Sequence, residues 1–97
     1  MNKKQENNMN ITAENQFTPW VRPSLSSGDG IDVSIENPNG ATVTVQRSLD
    51  SGTTFADIVS YTVATETSFA ASSSTMFRVG VKTGGFGTAS FNVRIAG

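Results

Sequence analysis

Apolar and polar residues alternate along most of the chain from residue 31 onward. Ile31, Val33 and Ile35 point one way and Asp32, Ser34 and Glu36 the other, the two-residue period of a half-buried strand. Ala41, Val43 and Val45 alternate in the same way with Thr42, Thr44 and Gln46. Between these runs lies Asn37-Pro38-Asn39-Gly40, a turn in which proline sets φ and Asn-Gly tolerates positive φ. The two runs are therefore predicted to form a hairpin. Asp50-Ser51-Gly52 is the next turn, followed by a run from Phe55 to Val63 in which Phe55, Val59, Tyr61 and Val63 are apolar. Ile58 breaks the alternation there and predicts a bulge. Thr67 to Ala71 reads as a short, weak strand. Met76 to Lys82 is strong, with Phe77, Val79 and Val81 inward and Arg78 and Lys82 outward. Gly84-Gly85-Phe86-Gly87 turns the chain, and Ala89, Phe91, Val93 and Ile95 then alternate with Ser90, Asn92 and Arg94.

No segment sustains a 3.6-residue apolar period. Six to seven short strands, with turn signals every eight to twelve residues or so, predict an all-β fold. The expected architecture is an antiparallel Ig-like or jelly-roll-like β-sandwich over residues 26–97, preceded by an extended N-terminal arm over residues 1–25. Met1 to Asn15 is polar and amide-rich, with too few apolar anchors to offset its ordering entropy alone. It reads either as a frayed terminus or as an arm that orders on a partner. Phe17-Thr18-Pro19-Trp20-Val21-Arg22-Pro23 follows, with two prolines that favour extended backbone. Its tryptophan reads as a lid on one end of the core or as an anchor in a partner's pocket. Ser24 to Gly30 reads as a loop.

Composition narrows the function. A chain of 97 residues makes one domain and buries a modest core. It has no cysteine and no histidine, so disulfide staples, thiolate metal sites and the commonest general base are absent. Docking or oligomerisation would supplement stability by mass action. The net charge is −1, and the only positive cluster, Lys3 and Lys4, is not the basic stripe of a nucleic-acid binder. No apolar run approaches the length of a membrane-spanning helix. The start lacks the apolar stretch of a secretory signal, so cytoplasmic synthesis and assembly are expected.

The eight carboxylates are scattered. Asp32 and Glu36 share a strand face about 13 Å apart by strand rise, too far to separate each other's pKa for acid–base work. Asp29, Asp32 and Glu36 match no EF-hand spacing. Ser72-Ser73-Ser74 has no histidine to activate a hydroxyl and reads as a loop. The glycine-rich stretch at residues 84–87 is not followed by a helix and is no phosphate cradle. No catalytic residue, metal or cofactor is predicted. Phe86, between glycines, either tucks over the sandwich end or contacts a partner.

Ser48-Leu49-Asp50-Ser51-Gly52-Thr53-Thr54-Phe55 resembles the Asp-box hairpin motif of sialidase propellers and several other β proteins. The resemblance implies a structural role for Ser48, Asp50, Gly52, Thr54 and Phe55. The carboxylate accepts hydrogen bonds from turn amides, glycine takes a conformation other residues resist, and the aromatic ring packs under the turn. A propeller needs several such blades, and the motif occurs once here.

Residues Phe17 to Gly97 also resemble small virion-associated proteins of tailed bacteriophages. The likeness is carried by the lead-in Phe17 to Pro23, by Ala41 to Phe55 with its strand and turn, and by Phe77-Arg78-Val79-Gly80-Val81-Lys82-Thr83-Gly84 with the closing strand Ala89 to Ile95. Phe55 stands where Trp is commoner and Ser51 where Gly is commoner, and both preserve the turn. The resemblance implies a virion structural protein, foremost a capsid decoration or cement protein on the capsid exterior that binds the major capsid protein and stabilises the head. A neck, tail or fibre component is the first alternative, and a carbohydrate-binding module or adhesin using Trp20, Tyr61 and Phe86 the second. The expected partner-binding residues are Phe17, Trp20, Val21, Arg22 and Phe86. The expected partners are virion proteins and further copies of the chain, as trimers on symmetry axes.

Overall fold

The structure is a computed structural model that describes residues 6–22, 30–50, 52–70 and 75–97. Lys3 and Lys4, the loop at Ser24, the candidate ligand Asp29, Ser51 and the Ser72–Ser74 stretch lie outside the described residues. Among the described residues there are eight strands: β1 (Glu6–Ile11), β2 (Gln16–Phe17), β3 (Gly30–Ile35), β4 (Val43–Ser48), β5 (Ala56–Tyr61), β6 (Thr65–Ala70), β7 (Met76–Val81) and β8 (Phe91–Ala96). They form two antiparallel four-stranded sheets, β1-β8-β3-β6 and β2-β7-β4-β5. The sandwich is as expected, but the count is eight rather than six to seven, because β1 and β2 belong to it.

The pairings show how the chain is wound. β1 pairs with β8, β2 with β7, β3 with β6 and β4 with β5. The chain is thus one long hairpin, β1 to β4 outward and β5 to β8 returning, with successive pairs assigned to alternate sheets. Two further ladders, β3 with β8 and β4 with β7, close each sheet. This is the eight-stranded jelly roll.

The four central strands supply most of the core. Ile31, Val33 and Ile35 face Val43 and Val45, joined by Phe77, Val79 and Val81 from β7 and Phe91, Val93 and Ile95 from β8, all buried. Each such side chain contributes roughly 1.5–3 kcal/mol of apolar transfer. A strand paired on both sides must have its backbone groups satisfied by neighbours, so the strands with the clearest apolar alternation are the ones the fold places centrally.

Two expectations are corrected. β3 and β4 are not a hairpin: they lie in different sheets, and the turn at residues 37–40 carries the chain across the sandwich. Asn39 and Gly40 do take positive φ there (53° and 88°), and Asn37 Oδ1 accepts from the Asn39 amide at 3.1 Å. The turn was legible, but the partner of each strand was not.

The N-terminal arm is the second correction. Glu6–Ile11 pairs along its whole length with β8, so the described part of the expected arm, residues 6–22, is not separate from the domain. Ile11 is fully buried and Met9 packs on the core, while Glu6, Asn8 and Asn10 face solvent. β8 supplies the main-chain partners, so two apolar anchors suffice where an isolated segment would need more. The lead-in after β2 also follows β7: the Thr18 amide donates to Val79 O at 2.9 Å, and Val21 and Phe77 exchange both bonds at 2.8 Å.

The bulge expected at Ile58 is present. Val45 pairs with Val59 and Gln46 with Asp57, leaving Ile58 as the extra residue.

Candidate interaction surface

The outer face of the β2-β7-β4-β5 sheet is built around Arg78. Strand alternation turns Arg78 outward while Phe77 and Val79 enter the core. Its guanidinium lies over three rings, 4.4 Å from the centroid of Phe17, 4.6 Å from Trp20 and 4.7 Å from Phe55. Two of these rings come from one short stretch, Phe17 in β2 and Trp20 three residues later, and the third from the end of the β4–β5 turn, far away in the chain. Trp20 and Phe55 are tilted at 50° with centroids 6.0 Å apart, a favourable aromatic arrangement. Arg78 Nε donates to Gln46 Oε1 at 2.8 Å, and Gln46 Nε2 donates to Asp57 Oδ1 at 2.9 Å. Lys82 Nζ completes the chain with an ion pair to Asp57 Oδ2 at 2.6 Å.

The electrostatics follow from these contacts. The hydrogen bond from Lys82, then that from Gln46, hold the Asp57 carboxyl below the ordinary carboxylate value. Partial burial lowers the Arg78 guanidinium from its usual value. The rings stabilise the cation where water has been displaced, by about 0.5–1 kcal/mol per ring when exposed and more when dry.

Close approach of β2 makes this face possible. A Cβ on Gly80 would collide with the Gln16 carbonyl oxygen and lie 2.5 Å from Phe17 Cα and 2.8 Å from Phe17 Cγ. Gly52 has a similar role in the turn. It has φ of +91°, and a Cβ there would sit 2.9 Å from Trp20 Nε1.

The β4–β5 turn carries the local bonding expected of its residue types. Asp50 Oδ1 accepts from the Thr54 amide at 2.8 Å and from Ser48 Oγ at 2.9 Å. Asp50 Oδ2 accepts from Thr54 Oγ1 at 2.6 Å, and the Gly52 amide donates to Ser48 Oγ at 2.7 Å. The Thr54 hydroxyl, then its amide, hold the Asp50 carboxyl below its ordinary value. Phe55 does not pack under the turn. It is 50% exposed and lies beside Arg78 and Trp20.

The expected partner-binding residues separate. Phe17 and Trp20 meet at Arg78. Trp20 is half-buried on the outer sheet face, so it does not close an end of the core. Val21 is fully buried and cannot face a partner, because its exchange with Phe77 places it in the core cluster. Arg22 is exposed. Phe86 packs on the core, in a loop held by Thr42 N donating to Gly85 O at 2.8 Å. Of the two readings of Phe86, the structure shows the tucked one. Tyr61 also packs on the core, so Trp20, Tyr61 and Phe86 form no shared platform.

Sequence reasoning passed over Leu49 and Arg47. Among the described residues the exposed large apolar side chains are Leu49 (67%), Val63 (65%), Phe55 (50%) and Ile58 (36%). All fall within residues 49–63, on the β4–β5 hairpin and the β5–β6 connection. Leu49 sits at a variable position of the turn motif, and an apolar residue there was the available signal.

The opposite sheet has a polar outer face. The ladders place Asn8, Arg94, Ser34 and Glu66 in one cross-strand row. Arg94 Nε donates to Glu6 Oε2 at 2.7 Å, and this hydrogen bond to Glu6, with the charges of Glu6, Asp32 and Glu66, raises the Arg94 pKa. Glu36 Oε1 accepts from both the backbone and side-chain nitrogens of Asn92 at 3.1 Å.

No protein-family profile, curated protein or solved structure matches this chain.

Proposed function

We propose that this chain is a structural protein of a bacteriophage virion, in the first place a capsid decoration protein that binds the major capsid protein lattice and stabilises the head. The observation that carries a docking role is the pair of exposed apolar side chains Leu49 and Phe55, which line one groove at the end of the β4–β5 hairpin. Exposed apolar side chains gathered in this way favour a protein contact. Two further points support the reading: the resemblance over Phe17 to Gly97 described above, and a staple-free jelly roll of a kind also used in capsid domains.

The way of docking differs from an ordering arm. Residues 6–22 are already paired within the sandwich, so using them as a free arm would cost the β1–β8 ladder and the burial of Ile11 and Val21. The docking surface is the end of the β4–β5 hairpin instead. The test is the number of copies per particle, by quantitative gel of purified virions. Copies on the order of hundreds, matching a symmetric shell, support decoration. About a dozen would move the protein to the neck or tail, and absence from particles would refute the virion reading.

A further inference from the structure

We propose that the end of the β4–β5 hairpin is a binding groove for a carboxylate flanked by apolar side chains, as presented by an acidic-aromatic peptide segment of a partner protein. The groove is lined by Arg47, Leu49, Thr54, Phe55 and Ala56. This rests on the reading of the protein as a docking module, and it names the chemistry of the segment that docks.

Three observations converge. Leu49 and Phe55 are the two most exposed large apolar side chains of the hairpin, at 67% and 50%, and they line the same groove. Arg47 is exposed and, among the described residues, makes no ion pair. The hairpin's own two carboxylates are already committed. Asp50 is held by Thr54 and Ser48, and Asp57 by Lys82 and Gln46. The groove therefore offers one unneutralised cation between two uncovered apolar side chains. Aromatic residues and arginine are both enriched at protein interfaces, and a guanidinium takes a carboxylate through two parallel hydrogen bonds.

The placement of Arg47 supports this role. By alternation it shares the inward phase of Val43 and Val45, yet it emerges at the open end of the sandwich, paired in register with Ala56 and Phe77. The small side chain of Ala56 leaves the floor beside Arg47 low. Phe55 is backed by Trp20 and Arg78, so its ring is presented rigidly and a ligand need not order it.

The test uses the full chain, isotopically labelled, titrated with a capped tripeptide of phenylalanine, aspartate and leucine and, in parallel, with its asparagine counterpart. The expected result is a saturable shift of the Arg47, Leu49 and Thr54 to Ala56 amides. The acidic peptide should bind at least about tenfold more tightly, or about 1.4 kcal/mol. Arg47→Gln should abolish that preference with an unchanged spectrum elsewhere, and Leu49→Ser should weaken both peptides alike. Equal binding of the two peptides, shifts centred elsewhere, or no saturation by about 10 mM would overturn the proposal. The copy-number measurement is independent: a protein present in particles that ignores both peptides would refute the groove and leave the virion reading intact.

Discussion

Arg78 and Arg94 occupy equivalent places in the two sheets. Each points outward from a central strand, between inward residues, in the stretches Phe77-Arg78-Val79 and Val93-Arg94-Ile95. Each strand has an N-terminal edge strand on one side and a strand of the first half on the other: β2 and β4 for β7, β1 and β3 for β8. Yet Arg78 is enclosed by three aromatic rings and one amide, whereas Arg94 stands among carboxylates. The contrast shows that local sequence decides which way an arginine faces, while the neighbours delivered by other strands decide whether it acts as packing or as a counter-ion. Ring contacts in a partly dry site resist salt and keep their geometry. Exposed ion pairs are weak and screened.

The largest test of this difference is Gly80→Ala. The added methyl must displace Gln16 and Phe17, so β2 and with it the aromatic clamp should detach, costing about 3 kcal/mol or more. Asn8→Ala, on the outer face of β1, should stay within about 0.5 kcal/mol. Urea denaturation midpoints compare the two.

Next in size is the pair of arginine truncations. Arg78→Ala removes three ring contacts and leaves the buried Gln46 amide short of a partner, so a loss of about 2 kcal/mol is expected. Arg94→Ala should cost under about 1 kcal/mol, because both Arg94 and Glu6 side chains are substantially exposed. If Arg94 proves the costlier residue, the contrast between the faces is wrong.

Salt sharpens the distinction further. Double-mutant cycles of Arg94 with Glu6, and of Arg78 with Phe55, should diverge as sodium chloride rises from about 0.05 to 0.5 M. The first coupling should fade and the second persist.

The smallest expected effect is in acid. The Asp57 carboxyl is held below its ordinary value of 3.8 by Lys82 and Gln46, so the unfolded chain binds that proton more readily than the folded one. The stabilisation is complete above the unfolded value and is lost as pH falls through the lower, folded one. Thermal midpoints of the wild type between about pH 5 and pH 2 should fall more steeply than those of Asp57→Asn. Parallel slopes would remove Asp57 from the account of this face.

Much of the fold was legible because a two-residue period reports directly on which side of a strand faces a core. The inward sets of β3, β4, β7 and β8 were readable on that basis, as were the positive-φ turn at Asn39-Gly40 and the bulge at Ile58. The interaction surface was less legible. The sequence marks Phe17 and Trp20 as exposed-aromatic candidates but gives no sign that both lie against Arg78, and its turn motif points to Phe55 as a support under the turn rather than as the third ring. Val21 reads as a surface residue in the sequence, because a lead-in with two prolines gives no sign that its backbone will pair.

By itself, the sequence determined most strand segments from residue 31 onward, the buried faces of β3, β4, β7 and β8, and the local bonding of the turn at residues 48–55. These depend on contacts only a few residues apart. The tertiary structure alone decided which strands became neighbours. It carried β3 and β4 into different sheets, completed an edge with the polar segment Glu6–Ile11, and surrounded Arg78 with rings from two distant segments, residues 17–20 and Phe55. Alternation specifies a face and not a partner. The choice of partner is made by how the whole set of strands closes around one core.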